Sequence, residues 1–369
     1  MKKWTLFIAA GVVGLAIGIL VYGLIYALKP GSGQPASKTV TLKRGLTFKE
    51  IAQTLESEGI IRGADRFVLL GQIVNAGSRI KAGEYCFDIP TSNWKVLTKI
   101  VRGHVKTYKV TIPEGYTLGQ IGNLLEKNGI VSKEAFVKEA SSPAIISRHT
   151  IDGPNLEGYL FPDTYGLAKE SEPAMVIRSF LQRFRQIYTA DMAERASGLG
   201  FSEREILTIA SIIERETSDL KERPLVSAVI HNRLKKGIRL QSDPTVIYGI
   251  PNFNGNLTRN DLRRHSPYNT YLIPGLPPGP ICNPGTSSIT SALFPASVDY
   301  LYFVSKNDGT HKFSSTLKEH DEAVDKYQRR RRRPQRGKDR ESVGEKATAI
   351  GQKPSVESRE AEARSQGSE

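Results

Sequence analysis

Among 369 residues there are only two cysteines, six histidines and two tryptophans. Cys86 and Cys282 lie far apart and in no metal-ligand spacing, so neither a disulfide framework nor a zinc site is implied; two ordinary buried thiols are expected, with a single bridge between them as the other reading. The histidines show no ligand spacing either; no metal and no organic cofactor is expected. His265 and His311 read as surface or strand residues. Acidic residues are outnumbered: 38 Asp and Glu face 52 Lys and Arg, for a net charge of +14. Such a balance fits nucleic acid, anionic lipid or an acidic polymer as partner. Part of the excess sits in the run Arg329–Arg333, so the folded body is less basic than the total.

One long uncharged run exists, Trp4 to Leu28, and no second run of that length follows. At 1.5 Å per residue it comfortably spans a hydrocarbon core of about 30 Å. It ends in Tyr26-Ala27-Leu28-Lys29, a poor site for signal cleavage, so an uncleaved anchor over 4–28 is expected. Lys2 and Lys3 place residues 1–3 in the cytoplasm by the positive-inside rule, although Lys29 weakens the bias. Residues 29–39 are expected to be a linker, with everything after them on the far side of the membrane. Nucleic acid is thereby excluded as a partner.

Two segments repeat at an offset of 70 residues: VTLKRGLTFKEIAQTLESEGII from Val40 and VTIPEGYTLGQIGNLLEKNGIV from Val110, identical at nine of 22 positions. Each reads as a short strand, a glycine turn (Gly45, Gly115) and a helix opened by a capping box, Thr47 with Glu50 and Thr117 with Gln120. Apolar Phe48, Ile51 and Leu55 recur as Leu118, Ile121 and Leu125 at helical spacing, and Gly59 and Gly129 stop the helices. The unit resembles LysM-type modules, which bind N-acetylglucosamine polymers. A duplicated unit that merely orients the next domain fits the same residues. Between the copies, Lys81–Tyr85 with Phe87 reads as a strand and Trp94–Val101 as a short helix.

The second half carries denser signals. Pro173–Asp191 is expected to be helical. A helix opens at Ser202, boxed with Glu205, and runs through Ile206-Leu207-Thr208-Ile209-Ala210-Ser211-Ile212-Ile213-Glu214-Arg215-Glu216. At about 100° per residue Ile206, Ile209, Ile213 and Glu216 share a stripe, while Glu214 falls nearer its edge. A carboxyl beside apolar surface holds its proton to higher pH, as a general acid for glycosidic cleavage requires. Two solvated glutamates at a helix end fit as well. Arg223–Lys236 reads as a further helix. RLQSDPTVIYG (239–249), YNTY (268–271) and the stiff loop from Pro274 to Gly285, rich in proline and glycine, follow. That loop suits the wall of a groove for a neutral sugar chain, or rigid packing alone. Tyr300–Val304 and His311–Ser314 read as a hairpin across Asn307-Asp308-Gly309, with a closing helix from Thr316 to Arg329.

Taken together, ASIIERET (210–217), HNRL (231–234), RLQSDPTVIYG, YNTY, GLPPGPICNPG (275–285), YLYFV (300–304), HKFSST (311–316) and EGYLFPDTY (157–165) resemble the YceG-like family of endolytic murein transglycosylases. The resemblance covers residues 40–328. It implies a lyase that cuts the β-1,4 bond between N-acetylmuramic acid and N-acetylglucosamine and leaves 1,6-anhydromuramic ends. It implies a single-pass protein of the bacterial inner membrane with a periplasmic catalytic domain, glycan strands as partners, and association with glycan polymerases of the penicillin-binding type. The family's essential glutamate matches Glu216, with Glu214 as second choice. The family usually has Lys where Arg215 stands, a change that keeps the charge. Asn232, Gln241, Asp243, Tyr248, Tyr268, Asn269 and Tyr271 fall inside the motifs and are substrate-groove candidates on that ground.

The expected fold class is α+β: an anchor, a LysM-like subdomain over 40–108, a second LysM-like unit over 109–149, a catalytic domain over 150–328 and a charged, disordered tail over 329–369. Two other functions fit the same polymer, a hydrolase with water as acceptor and a non-catalytic wall-binding scaffold.

Overall fold

The computed structural model describes residues 2–30, 35–43, 45–77 and 79–329. It begins with helix α1 (Lys2–Leu28). The stretch Gly11–Leu28 has a mean hydropathy of 2.3 and is 6% buried by the rest of the protein. A helix of 27 residues is about 40 Å long, enough to cross a bilayer. Near its C-terminal end Tyr26 donates to the carbonyls of Arg62 (2.7 Å) and Gly63 (3.0 Å), which ties this helix to the next unit.

The first repeat forms β1 (Ala36–Leu42), α2 (Phe48–Ser57), α3 (Ala64–Ile73), β2 (Gly83–Ile89) and α4 (Asn93–Arg102). Thr47 and Glu50 make the expected capping box. The strands pair antiparallel, Ala36 opposite Ile89 and Leu42 opposite Gly83. The linker is therefore shorter than expected. Buried Val40 and Leu42 fix the register against β2, and the ladder runs outward from them to Ala36. Val40, Leu55, Phe67, Tyr85, Leu97 and Ile100 form a core of their own.

The second repeat has the same start: β3 (Tyr108–Thr111), then α5 (Leu118–Lys127) with Thr117 and Gln120 as its capping box. Helices α6 (Lys133–Ala140) and α7 (Pro143–Arg148) follow. Its strand, however, pairs with β4 (Thr164–Leu167) from the EGYLFPDTY stretch. Val110, Ile121 and Leu125 thus belong to a larger core that extends to Phe313. That core is built by α8 (Pro173–Ile187), α9 (Ala190–Gly198), α10 (Glu203–Glu216), α11 (Arg223–Lys235), α12 (Asp243–Tyr248), α13 (Thr286–Leu293), the hairpin β5 (Tyr302–Ser305) and β6 (His311–Ser314), and α14 (Leu317–Val324). The helix expected over 173–191 is in fact two. Tyr188 leaves the helical region, and Thr189 accepts the N–H of Met192 to open α9. The closing helix ends at Val324 and continues as a wider turn over Asp325–Arg329.

The architecture is α+β, with three two-stranded antiparallel sheets among the described residues. Glu84 of β2 joins the two cores, accepting from Tyr108 and pairing with Lys169 at 3.2 Å. The tail expected to be disordered lies, beyond Arg329, outside the described residues.

The aromatic cluster in the larger core gives a direct test. Phe180 is fully buried, edge-on to Tyr165 at 4.5 Å and to Phe136 at 6.1 Å. Phe180→Ala is expected to cost about 3–5 kcal/mol in the larger core's unfolding transition, read by denaturant titration.

Candidate active site

Helix α10 is the centre of the larger core. Every residue from Ile206 to Ile213 is buried, including Thr208 and Ser211. Thr208 returns its hydroxyl to the carbonyl of Arg204, and Ser211 to that of Thr208. Ser202 and Glu205 start the helix with the expected box. Thr217, extended, ends it. The polar residues of the last turn then diverge.

Glu214 turns to the Pro/Gly loop. Its carboxylate accepts from Arg223 (2.8 Å) and from the N–H of Gly285 (3.0 Å), and both charged side chains are buried. The same loop is pinned along α10 by Ser211, which accepts from the N–H of Ile281, and by Arg204, which donates to the carbonyl of Pro278. The loop is thus a brace on α10. It does not line the cavity that holds Glu216.

Glu216 points the other way, half-buried in the wall of a cavity of about 440 Å³. Ser242 donates to its Oε1 at 2.5 Å. Removal from water raises its pKa to about 7, and neighbouring Asp243 adds to the rise. The Ser242 bond and the charges of His311 and Arg233 oppose the shift without cancelling it. The alternative of two solvated glutamates is thereby overturned.

Ser242 is held by the YNTY segment. Its N–H donates to Thr270 Oγ1 (2.9 Å), and Thr270 in turn bonds Thr245. Gln241 sits in the left-handed region at φ +52°, its N–H on the Thr270 carbonyl. Asp243 accepts from the Tyr271 hydroxyl at 2.7 Å. Arg233 enters from α11, donating through Nε to the Leu301 carbonyl and through Nη1 to that of Leu240, with Tyr302 stacked 5.2 Å away.

Of the groove candidates, Gln241, Asp243 and Tyr271 line this cavity. The other four stand elsewhere. Asn232 holds the carbonyls of Val298 and Tyr300. Asn269 is fully buried and ties its own turn to Leu262 and Arg264. Tyr248 and Tyr268 pack on each other at 4.8 Å beside Glu157. Glu157 is a second buried acid whose pKa burial raises to about 7. It accepts from the N–H of Leu118, from Asn283 and from Tyr248, and so joins three segments.

Sequence reasoning missed Ser242, Arg233 and His311. Ser242 lay between two named residues. Arg233 sits among the apolar residues of α11, where a charge needs many acceptors. His311 is a strand residue as expected, yet its ring lines the cavity. Among the described residues no group of three or more His, Cys, Asp or Glu is placed to hold a metal ion.

Residues 40–326 match the profile of the YceG-like family. The chain belongs to that family. One relative, the endolytic murein transglycosylase of Bacillus subtilis, is 30% identical over 329 residues, which is 84% of this chain and 90% of the relative. The endolytic murein transglycosylase of Streptococcus pneumoniae is 28% identical over 78% of this chain; the chain spans 57% of that longer protein. The crystal structure of a YceG-like protein of Listeria monocytogenes superimposes with a TM-score of 0.54 at 32% identity, covering 79% of this chain and all of the other.

The raised pKa of Glu216 has a consequence for stability. Its folded value lies above the unfolded one, so the folded state resists losing that proton. The penalty is absent below about pH 4.5, grows as pH rises, and is complete above about 7. Glu216→Gln, which keeps the shape without the charge, is expected to raise Tm at pH 8 and leave it unchanged at pH 4. Thermal melts at both pH values check this.

Proposed function

We propose that the protein is an endolytic peptidoglycan lytic transglycosylase, a lyase that cleaves the MurNAc-β-1,4-GlcNAc bond of glycan strands. The observation that carries the reading is Glu216: a carboxyl that keeps its proton to about pH 7, at the end of a buried helix and in the wall of a cavity. Family membership and the names of the B. subtilis and S. pneumoniae relatives support the same chemistry.

Protonated Glu216 gives its proton to the glycosidic oxygen as the bond to the anomeric carbon breaks. Positive charge builds on the muramic ring. The C6 hydroxyl of the same sugar then closes on the anomeric carbon and gives its proton to the newly ionised Glu216, and the 1,6-anhydro end forms without water. Intramolecular attack has a high effective concentration, which lets a buried site dispense with a positioned water. Gln241, Asp243 and Tyr271 are the cavity residues read as substrate contacts. Their hydrogen bonds set them in place before substrate arrives.

The proposed arrangement has residues 1–3 in the cytoplasm, α1 in the inner membrane, residues 40–108 and 109–149 as LysM-like units and residues 150–328 as the periplasmic catalytic domain. The strand–turn–helix form of both repeats supports the LysM-like reading. A membrane tether of this kind suits an enzyme that cuts strands near their site of synthesis, alongside glycan polymerases.

Glu216→Gln is expected to abolish release of anhydro-ended fragments from purified glycan strands while the protein stays folded. Wild-type activity is expected to fall as pH rises through about 7, where Glu216 loses its proton. Mass spectrometry of the products separates lytic from hydrolytic cleavage by one water. Wild-type release of such fragments by the Gln variant would remove Glu216 from the mechanism.

A further inference from the structure

We propose that the cavity at the C-terminal end of α1 binds the phosphate headgroup of an anionic diacyl phospholipid. The inference rests on the reading of α1 as membrane-spanning. Pro30 carries no N–H, so the carbonyl of Tyr26, four residues before it, has no helical partner. Asn93 takes that place, its Nδ2 donating to the Tyr26 carbonyl at 3.2 Å. With the bonds from the Tyr26 hydroxyl to Arg62 and Gly63, this clamps the end of the helix to the first repeat. Beside the clamp lies a cavity of about 490 Å³, in whose wall stand Tyr22, Tyr26, Lys29, Arg62, Arg66 and Asn93.

Among the described residues that line it, three are cations and none is acidic. Arg66 reaches across from α3: its Nη1 donates to the Tyr22 hydroxyl at 2.8 Å, and its guanidinium stands 5.2 Å from the centre of the Tyr26 ring. Glu56, which accepts from the N–H of Gly63 at 2.7 Å, and Asp65 of α3 are close in the chain but do not line the cavity. A guanidinium fork matches the paired oxygens of a phosphate, and Lys29 adds a point charge beside it.

Depth selects the ligand. Tyr22 lies six residues before Leu28, the last residue of α1, or about 9 Å along the axis. A helix of this length reaches past a hydrocarbon core of about 30 Å into the headgroup layers. Arg66, held at the level of Tyr22, therefore sits where the core meets the headgroups, and a cation there needs an anion at the same depth. Apolar surface adjoins it. Leu24, Ile25 and Leu28 are more than half exposed along α1. On α3, Leu69 and Ile73 follow Arg66 at three and seven residues, share its face, and are 60% and 82% exposed. Uncovered apolar side chains beside clustered cations fit the surface of a bilayer that bears negative charge. A diacyl phospholipid surrounds any membrane-spanning helix and offers a phosphate joined to acyl chains at this depth.

Native mass spectrometry of the full-length protein, released from non-ionic detergent after titration with dioleoyl phosphatidylglycerol or dioleoyl phosphatidylcholine, tests this. One phosphatidylglycerol is expected to be retained, at least about tenfold more tightly than phosphatidylcholine. Replacing both arginines, Arg62→Gln with Arg66→Gln, is expected to abolish that preference. Arg66→Gln alone serves where the double variant fails to fold, and is expected to lose about fivefold. Arg102→Gln removes an exposed cation of α4 outside the cavity and is expected to leave the preference intact. Equal retention of the two lipids, a folded Arg66 variant as selective as the wild type, or an equal loss in Arg102→Gln overturns the inference. Displacement of the lipid by inorganic phosphate, or tighter binding of a polyprenyl phosphate, overturns the choice of occupant. Alkaline carbonate extraction of the protein from phosphatidylglycerol vesicles tests the membrane-spanning reading separately. Protein that washes off sinks that reading and the lipid site with it; protein that stays inserted without a lipid preference sinks the lipid site alone.

Discussion

Helix α10 is buried on all sides from Ile206 to Ile213, and the polar groups of its last turn emerge in three different directions. Arg215 reaches the surface, Glu214 is neutralised by Arg223, and Glu216 is left against a cavity with one hydroxyl and, among the described residues, no paired cation. An unpaired carboxyl removed from water relieves the cost by keeping its proton. The acid is therefore a product of where its helix lies, and the surrounding segments serve to keep that helix in place.

Two of those segments act on opposite sides. The Pro/Gly loop grips α10 through Ser211, Arg204 and Glu214, using backbone groups that its prolines hold in one shape. The QSDP and YNTY segments grip each other through Thr270 and Thr245, and together deliver Ser242 to Glu216. Glu157 is a third tie, fastening the start of α5 to Asn283 of the loop and to Tyr248 of α12. Through it the second repeat is bound into the larger core, whereas the first repeat keeps a core of its own.

Much of this was legible in local pattern. The capping boxes at Thr47, Thr117 and Ser202 need only residues three apart, and all three are formed. The stripe through Ile206, Ile209 and Ile213 did not separate the two glutamates, since every residue from Ile206 to Ile213 is buried and the side chain of Glu214 is buried as well. The break at Tyr188 was not legible, since the apolar periodicity runs past it and only the cap at Thr189 decides it. Neither was the division of the motif residues. Tyr248, Tyr268, Asn269 and Asn232 stand in the same conspicuous stretches as Gln241, Asp243 and Tyr271, and no spacing separates those that brace from those that face the cavity.

The sequence by itself determined the long apolar N-terminal helix, the duplicated strand–turn–helix unit, the α+β character and the carboxyl that ends a buried helix. All of these follow from composition or from residues within a few turns of one another. Tertiary structure alone decided that β3 would pair with β4, that Ser242 would meet Glu216 across 26 positions, and that Glu222 would hold His311 across 89. Such contacts depend on how separate elements pack, and short-range periodicity carries no record of that distance.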